Sequence, residues 1–311
     1  MISIQETKPN NQSLPYNANN LPDVGSVVTL FNNKEIDRQF DAFVSKLINC
    51  RKNFMVWKKP KAPHFVAIPI SCKSRFCEHC SKSRGTRARQ ILNAVLKERD
   101  LYDKPHSLKL LTLTVKNFPL EDLEWGRKNF FNWFTTLRHR KVWLDNVKGY
   151  FFAFEISKGK NNTYHFHLHI LMESKFIDVY KLSSQWKSIV SKNWEGEVID
   201  IREVRKTRKA LYEVTKYFFK PASLDIYDKY LLSDIFKNNH LNGFGGDWLF
   251  LLRGCKYEDL LEHHPVIEHI FKTWVYQYNI SLDEMSDNWV YLEKYDLWET
   301  KVPEGGYLNA T

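Results

Sequence analysis

The chain has no run of about 18 apolar residues, and its Asn-rich start carries no basic-then-apolar leader. A membrane span and a secretory signal are therefore not indicated, and a cytoplasmic protein is expected. Cysteine is scarce and odd in number, five in 311 residues. In a reducing compartment, four clustered thiols are better explained by a metal than by disulfides. No internal repeat is visible, so a repeat architecture is not indicated either. What is abundant is positive charge: 46 Lys+Arg against 36 Asp+Glu give +10 and a pI near 9.2. That charge is uneven. Residues 1–220 hold 39 basic and 21 acidic side chains, and residues 221–311 hold 7 and 15. A surface for a polyanion such as nucleic acid is therefore expected in the first two thirds.

A length of 311 residues admits one large domain or two modest ones, and two are expected. Residues 1–25, dominated by Asn, Ser, Gln and Pro, read as a flexible tail. Apolar spacing predicts a helix over 36–48 leading into Cys50, then a basic, cysteine-bearing stretch to Arg89, with a helix over 88–99. The β-rich run LKLLTLTV (108–115) predicts a buried strand, and 121–140 a helix with a broad apolar face. Two strand-like runs, 149–157 and 164–172, are joined by the turn-rich KGKNN, which predicts an antiparallel hairpin. A helix over 179–193, a short strand over 198–204 and a helix over 209–220, stopped by Pro221, follow. The mixed order reads as α+β with an antiparallel sheet. The expected organisation is a main domain over 26–225 and an acidic, aromatic accessory region over 226–311.

Tyr164-His165-Phe166-His167-Leu168-His169-Ile170 places three histidines at period two. On a strand all three leave one face, while Phe166, Leu168 and Ile170 fill the other. If KGKNN closes the hairpin so that facing positions sum to about 320, Glu155 falls beside His165 and Ala153 beside His167. Glu155 can then add a carboxylate to a shared ion. Such a set with open positions suits Mg²⁺ or Mn²⁺ acting on a phosphate as much as Zn²⁺.

In Leu211–Lys220, Glu213 and Tyr217 are four residues apart and share a helix face, pairing a nucleophile with a base. Tyr212 and Tyr217 are five apart, about 140° from a common face, which argues against a two-tyrosine relay. Lys216 and Lys220 lie on neighbouring faces and are candidates for phosphate contact. Upstream, Cys72-x4-Cys77-x2-Cys80 with Cys50 offers four thiolates for a closed tetrahedral zinc site within a segment spanning 50–89. His79 is an alternative to Cys50, and Cys255 is left over as a small apolar side chain. The flanks are basic, and Arg84 and Arg87 are candidates for DNA contact.

Three segments in order, LTLTVKN (111–117), the His-hydrophobic-His strand and the Glu-x-x-Lys-Tyr helix (Glu213, Lys216, Tyr217), resemble the HUH endonuclease superfamily. Within it the closest likeness is to the single-tyrosine rolling-circle plasmid initiators, and with the cysteine segment it spans about 50–220. The resemblance implies a central antiparallel sheet of the HUH, RRM-like type with flanking helices and a zinc-stapled segment. It implies a metal held by His167 and His169, with His165 in the leading position. Phe166 replaces the usual proline, which leaves open whether the pair is His165 and His167. A glutamate from a preceding strand often completes such sites, matching Glu155. It implies nicking of one origin strand by Tyr217, a 5′-phosphotyrosine link, a 3′-OH primer, rejoining at termination with Glu213 activating water, and a host helicase and polymerase as partners. Trp186 or Trp194 could stack on single-stranded bases, although core packing explains them better. A single-strand transposase shares this motif order; a relaxase usually places its tyrosine before the histidines. A zinc-stapled DNA-binding protein is the non-enzymatic alternative.

Overall fold

A computed structural model describes residues 34–62, 64–216, 224–237, 239–255, 265–285, 289–292 and 297–300, the side chains of 34–37, 254–255 and 265–268 excepted. The chain forms two compact units, 1–42 and 43–311, and the second carries both sheets. The described elements of the chain begin with α1 (Lys34–Ile48), β1 (Asn53–Lys58), β2 (Phe65–Pro69), α2 (Glu78–Glu98), β3 (Leu108–Thr114) and β4 (Phe118–Pro119). Next come α3 (Leu123–Arg138), α4 (Lys141–Leu144), β5 (Val147–Lys158), β6 (Thr163–Ser174), α5 (Val179–Val190), β7 (Val198–Glu203) and α6 (Thr207–Thr215). The described remainder is α7 (Ile226–Ile235), β8 (Asn242–Gly246), α8 (Asp247–Cys255), α9 (Pro265–Thr273), β9 (Val275–Ser281), β10 (Trp289–Leu292) and β11 (Leu297–Thr300).

The fold is α+β, as expected, and every strand pair is antiparallel. The main sheet has the order β7-β3-β6-β5-β8, with β4 against the start of β6. Its central hairpin, β5–β6, closes through Asn161 and Asn162, both left-handed (φ 56° and 52°), with the Gly159 N–H donating to the Thr163 carbonyl at 2.7 Å. Asparagine tolerates that conformation better than other chiral residues, which is why KGKNN turns here.

Alternation along β6 sorts the two faces of the sheet. Phe166, Leu168, Ile170 and Met172 are fully buried beneath α3 and α5, packed with Phe130, Phe134 and Trp186. Burying each such side chain contributes about 1.5–3 kcal/mol. The other face is divided along its length. At one end Leu108, Phe151 and Leu171 form an apolar floor under α2, α6 and α8; at the other, beyond Ala153, the histidines begin.

A second sheet, β10-β11-β2-β1-β9, joins residues more than 200 positions apart through the β1–β9 ladder. Residues 226–300 therefore contribute strands to both sheets: β8 extends the main one, and β9, β10 and β11 extend the second. Helix α2 starts ten residues earlier than apolar spacing suggests, at Glu78 directly after Cys77. Among the described residues no helix is long and apolar enough to cross a membrane.

Candidate functional site: a histidine strand and a cysteine quartet

β6 brings His165, His167 and His169 onto one half-buried face. The ladder with β5 puts Glu155 opposite His167, Ala153 opposite His169 and Ser157 opposite His165. The expected register is thus two residues off. The turn is centred one residue later than assumed, on Asn161, and because two residues is one full pleat, Glu155 keeps its face. Glu155 is buried, 6% exposed, and its Oε2 lies 3.0 Å from His169 Nε2. That is an imidazole–carboxylate ion-pair distance, and also about the spacing of two adjacent octahedral ligands each about 2.1 Å from a small hard cation. The His167 and His169 rings stack at 5.8 Å with 7° between planes, and the His165 and His167 centroids are 4.0 Å apart.

β3 supplies a second set of polar groups that the sequence reading did not single out. Thr112 faces His169 in the ladder, and its Oγ1 lies 3.2 Å from His169 Nδ1. Thr114 faces His167 but reaches diagonally to His165 Nε2, 2.6 Å away. Burial lowers the His165 pKa, opposed by a hydrogen bond to the Val115 carbonyl and by the Glu155 charge. The alternating threonines of LTLT were the available signal: on a buried strand one face is aliphatic, and the other must satisfy hydroxyls.

Helix α6 lies over this same face. Thr207 Oγ1 donates to the Leu101 and Tyr102 carbonyls (3.4 and 3.3 Å), and the Val204 N–H just before it donates to the Leu108 carbonyl at 3.0 Å, so α6 starts at the end of the sheet where Leu108 pairs with Glu173. It ends where Arg89 Nε donates to Thr215 Oγ1 at 3.1 Å and the Arg89 guanidinium covers the Tyr212 ring at 4.1 Å. α2 is anchored at its far end by the Arg99–Glu173 pair (2.9 and 3.0 Å) and runs the opposite way. Between these anchors Ala210, Leu211 and Val214 pack in one cluster with Phe151, Ala153 and Leu171, the apolar part of the face that adjoins the histidines. Glu213 and Lys216 form an ion pair at 2.7 Å, so Lys216 has a carboxylate partner rather than an open face. Tyr217 and Lys220 lie outside the described residues, as does the Cys255 side chain.

The start of α2 carries the second cluster. A left-handed Arg51 (φ 68°) donates its N–H to the Ile70 carbonyl at 3.0 Å, extending the β1–β2 pairing past its open end so that Cys50 meets Cys72. Cys77 and Cys80 then enter from the first turn of α2. The four Sγ atoms all lie within 4.8 Å of one another, with Cys50–Cys80 and Cys72–Cys80 both 3.6 Å. Four thiolates at the zinc–sulfur distance of about 2.3 Å stand about 3.8 Å apart in a tetrahedron, so the quartet fits zinc. The Cys72 N–H points at Cys50 Sγ (3.4 Å), as a thiolate acceptor favours. Hydrogen bonding from Cys72 holds the Cys80 thiol down at about 5, and burial pushes Cys50 up to about 12. All four cysteines are buried, so ionising them together calls for a cation. The exposed His79 is not part of the quartet. Among the described residues this is the one His/Cys/Asp/Glu group of three or more drawn this close; the histidine set is looser.

Of the proposed DNA contacts, Arg84 donates to the Lys73 carbonyl at 2.6 Å and braces the loop between Cys72 and Cys77, and Arg87 is half-buried one turn on. Trp186 is core: fully buried, it donates Nε1 to the Thr114 carbonyl at 3.1 Å. Trp194 stacks on Phe118 at 4.6 Å and donates to the Lys116 carbonyl.

The chain matches the family model described as Replication protein over residues 64–246. Similar curated proteins are each named Protein rep. One from Streptococcus pneumoniae is 28% identical over 200 residues, 56% of this chain and 60% of that protein. One from Lentilactobacillus hilgardii is 27% identical over 146 residues, 44% and 46%. One from Staphylococcus aureus is 30% identical over 163 residues, 49% and 70%. The chain thus spans about half to two thirds of the first two. No solved structure matches it significantly.

Proposed function

Because the chain belongs to the Rep_1 replication-protein family, the rolling-circle plasmid initiators of the HUH type that its motifs resemble, we infer that it nicks one strand of origin DNA with Tyr217 and stays linked to it. One observation carries the reading furthest. His167, His169 and Glu155 share the sheet face that α6 covers, with Glu155 against His169, and Tyr217 follows Thr215 by two residues in the sequence.

His167, His169 and Glu155 are the groups that would hold Mg²⁺ or Mn²⁺; the bound ion would polarise the scissile phosphate and offset the charge developing on it. The Tyr217 oxygen attacks phosphorus in line. A phosphorus–oxygen bond to tyrosine forms, the bond to the 3′ oxygen breaks, and the proton lost by the phenol is made up on that leaving oxygen. The products are a 5′-phosphotyrosyl protein and a 3′-OH that a host polymerase extends behind a helicase. Glu213, paired with Lys216, is assigned to water activation at termination. Arg84, Arg87 and Lys220 fall to backbone contact, and the zinc of the cysteine quartet to fixing the start of α2. Incubation with single-stranded origin oligonucleotides and Mn²⁺ tests this. A denaturation-resistant adduct lost in Tyr217→Phe is expected; an adduct unchanged in that variant removes Tyr217 from the reaction.

A further inference from the structure

Three histidines share one face of β6, and an ion of this kind takes two of them with Glu155. The hydroxyls of β3 distinguish them. We propose that Thr112 and Thr114 sort the histidines by fixing their tautomers, Thr112 turning His169 into a ligand and Thr114 keeping His165 out of the ligand set. The inference rests on the metal-site reading above and assigns roles to two residues that it left without any.

At His169 the ring is held from both sides, with Nδ1 3.2 Å from Thr112 Oγ1 and Nε2 3.0 Å from Glu155 Oε2. An imidazole that gives its Nε2 lone pair to a cation carries its proton on Nδ1 and needs an acceptor there. Thr112 Oγ1 is that acceptor. At His165 the order is reversed. Thr114 Oγ1 can donate to the Val115 carbonyl at 3.4 Å, which leaves its oxygen to accept from His165 Nε2–H at 2.6 Å. That nitrogen is thereby protonated and spent, and a protonated ring nitrogen has no lone pair for an ion. The backbone of Thr114 is itself pinned, since its carbonyl accepts from Trp186 Nε1 at 3.1 Å. His167 and His169 remain as the ligating pair, and the alternative left open by Phe166 closes in their favour. Thr112 and Thr114 are positioning residues: they act through the imidazoles.

The test uses the zinc-replete full chain with Thr112→Val, Thr112→Ser and Thr114→Val; valine keeps the branched shape and suits a strand. Two quantities are read: the Mn²⁺ dissociation constant, and the ring-nitrogen NMR shifts of the histidines. Thr112→Val is expected to weaken Mn²⁺ about tenfold, with Thr112→Ser restoring it, as loss of an orienting partner does at other metal sites. Thr114→Val is expected to leave Mn²⁺ binding within about twofold while moving the His165 ring resonances. Wild-type affinity in Thr112→Val, or a Thr114→Val loss as large as that of Thr112→Val, overturns the sorting. If His167→Ala and His169→Ala leave Mn²⁺ binding untouched, the metal reading itself fails. The ring shifts then decide separately: unaltered His169 and His165 resonances in the two valine variants overturn the proposal with or without an ion.

Discussion

Glu155 stands directly across the ladder from His167, yet its carboxylate meets the diagonal neighbour, His169 Nε2, at 3.0 Å. The carboxylate is thus turned toward His169, and Glu155 is 6% exposed. Glu155→Gln keeps the shape and a hydrogen bond while removing the charge. Mn²⁺ affinity measured by titration should fall at least about tenfold, with near-unchanged thermal unfolding, since a neutral amide is a poor ligand for a hard cation. Affinity equal to wild type would take Glu155 out of the shell.

The cysteine quartet should carry about one zinc per chain, the stoichiometry of a closed four-thiolate site. Cys77→Ser should lose it, as should exhaustive chelation, and both should expose residues 50–89 to protease. Metal analysis paired with limited proteolysis reads the two effects together. Retention of zinc by Cys77→Ser would mean that the quartet is not the binding site.

A third expectation concerns acid. Asp225 is exposed, and what desolvation it suffers works against its charge, but the Asp228 backbone N–H and the Lys158 ammonium hold its carboxyl below the ordinary range. It closes a capping box at the start of α7, and Lys158 bridges it to the buried Asp228 at 3.0 and 2.9 Å. A depressed folded-state pKa contributes stability that is fully present above the unfolded value, near pH 4, and is lost as pH falls through the folded one. Wild type should lose an increment of stability below about pH 4 that Asp225→Asn lacks at every pH. Parallel pH–stability curves for the two proteins would refute the assignment.

Packing gives a fourth. A Cβ on Gly149 would lie 2.2 Å from Cδ1 of the fully buried Trp248, whose Nε1 donates to Glu173 at 3.1 Å. Neither the ring nor the strand can give way freely. Gly149→Ala should cost about 1–3 kcal/mol in denaturant unfolding while leaving nicking per folded molecule unchanged. A neutral substitution would show that the Trp248 pocket is slack.

The hairpin, the core helices and the histidine face were legible because each declares itself over a short window: period two in β6, helical spacing in α3 and α5, turn residues between β5 and β6. The register was not, since it depends on how Asn161 and Asn162 turn, which composition leaves free by two residues. The second sheet was invisible for another reason. Its pairing of Phe54 with Ile280 joins distant segments, and β9 (VYQYNIS) alternates too weakly to announce a partner. The early start of α2 was hidden by the polar run 78–87, where the cysteine quartet, more than propensity, accounts for the helix. Glu213 was placed correctly on a helix, but its pairing with Lys216 makes Lys216 a less ready phosphate contact than its exposure suggested.

The closed hairpin also makes the site a matter of parity. Every candidate ligand on β5 and β6 occupies an odd-numbered position of a two-residue pleat. Insertions at the Asn161–Asn162 tip can lengthen the loop without touching the ligands. A single residue added within either strand swaps imidazoles for Phe166 and Leu168, or Glu155 for Phe154. Related chains should therefore vary in length at the tip and tolerate changes within the strands only in pairs.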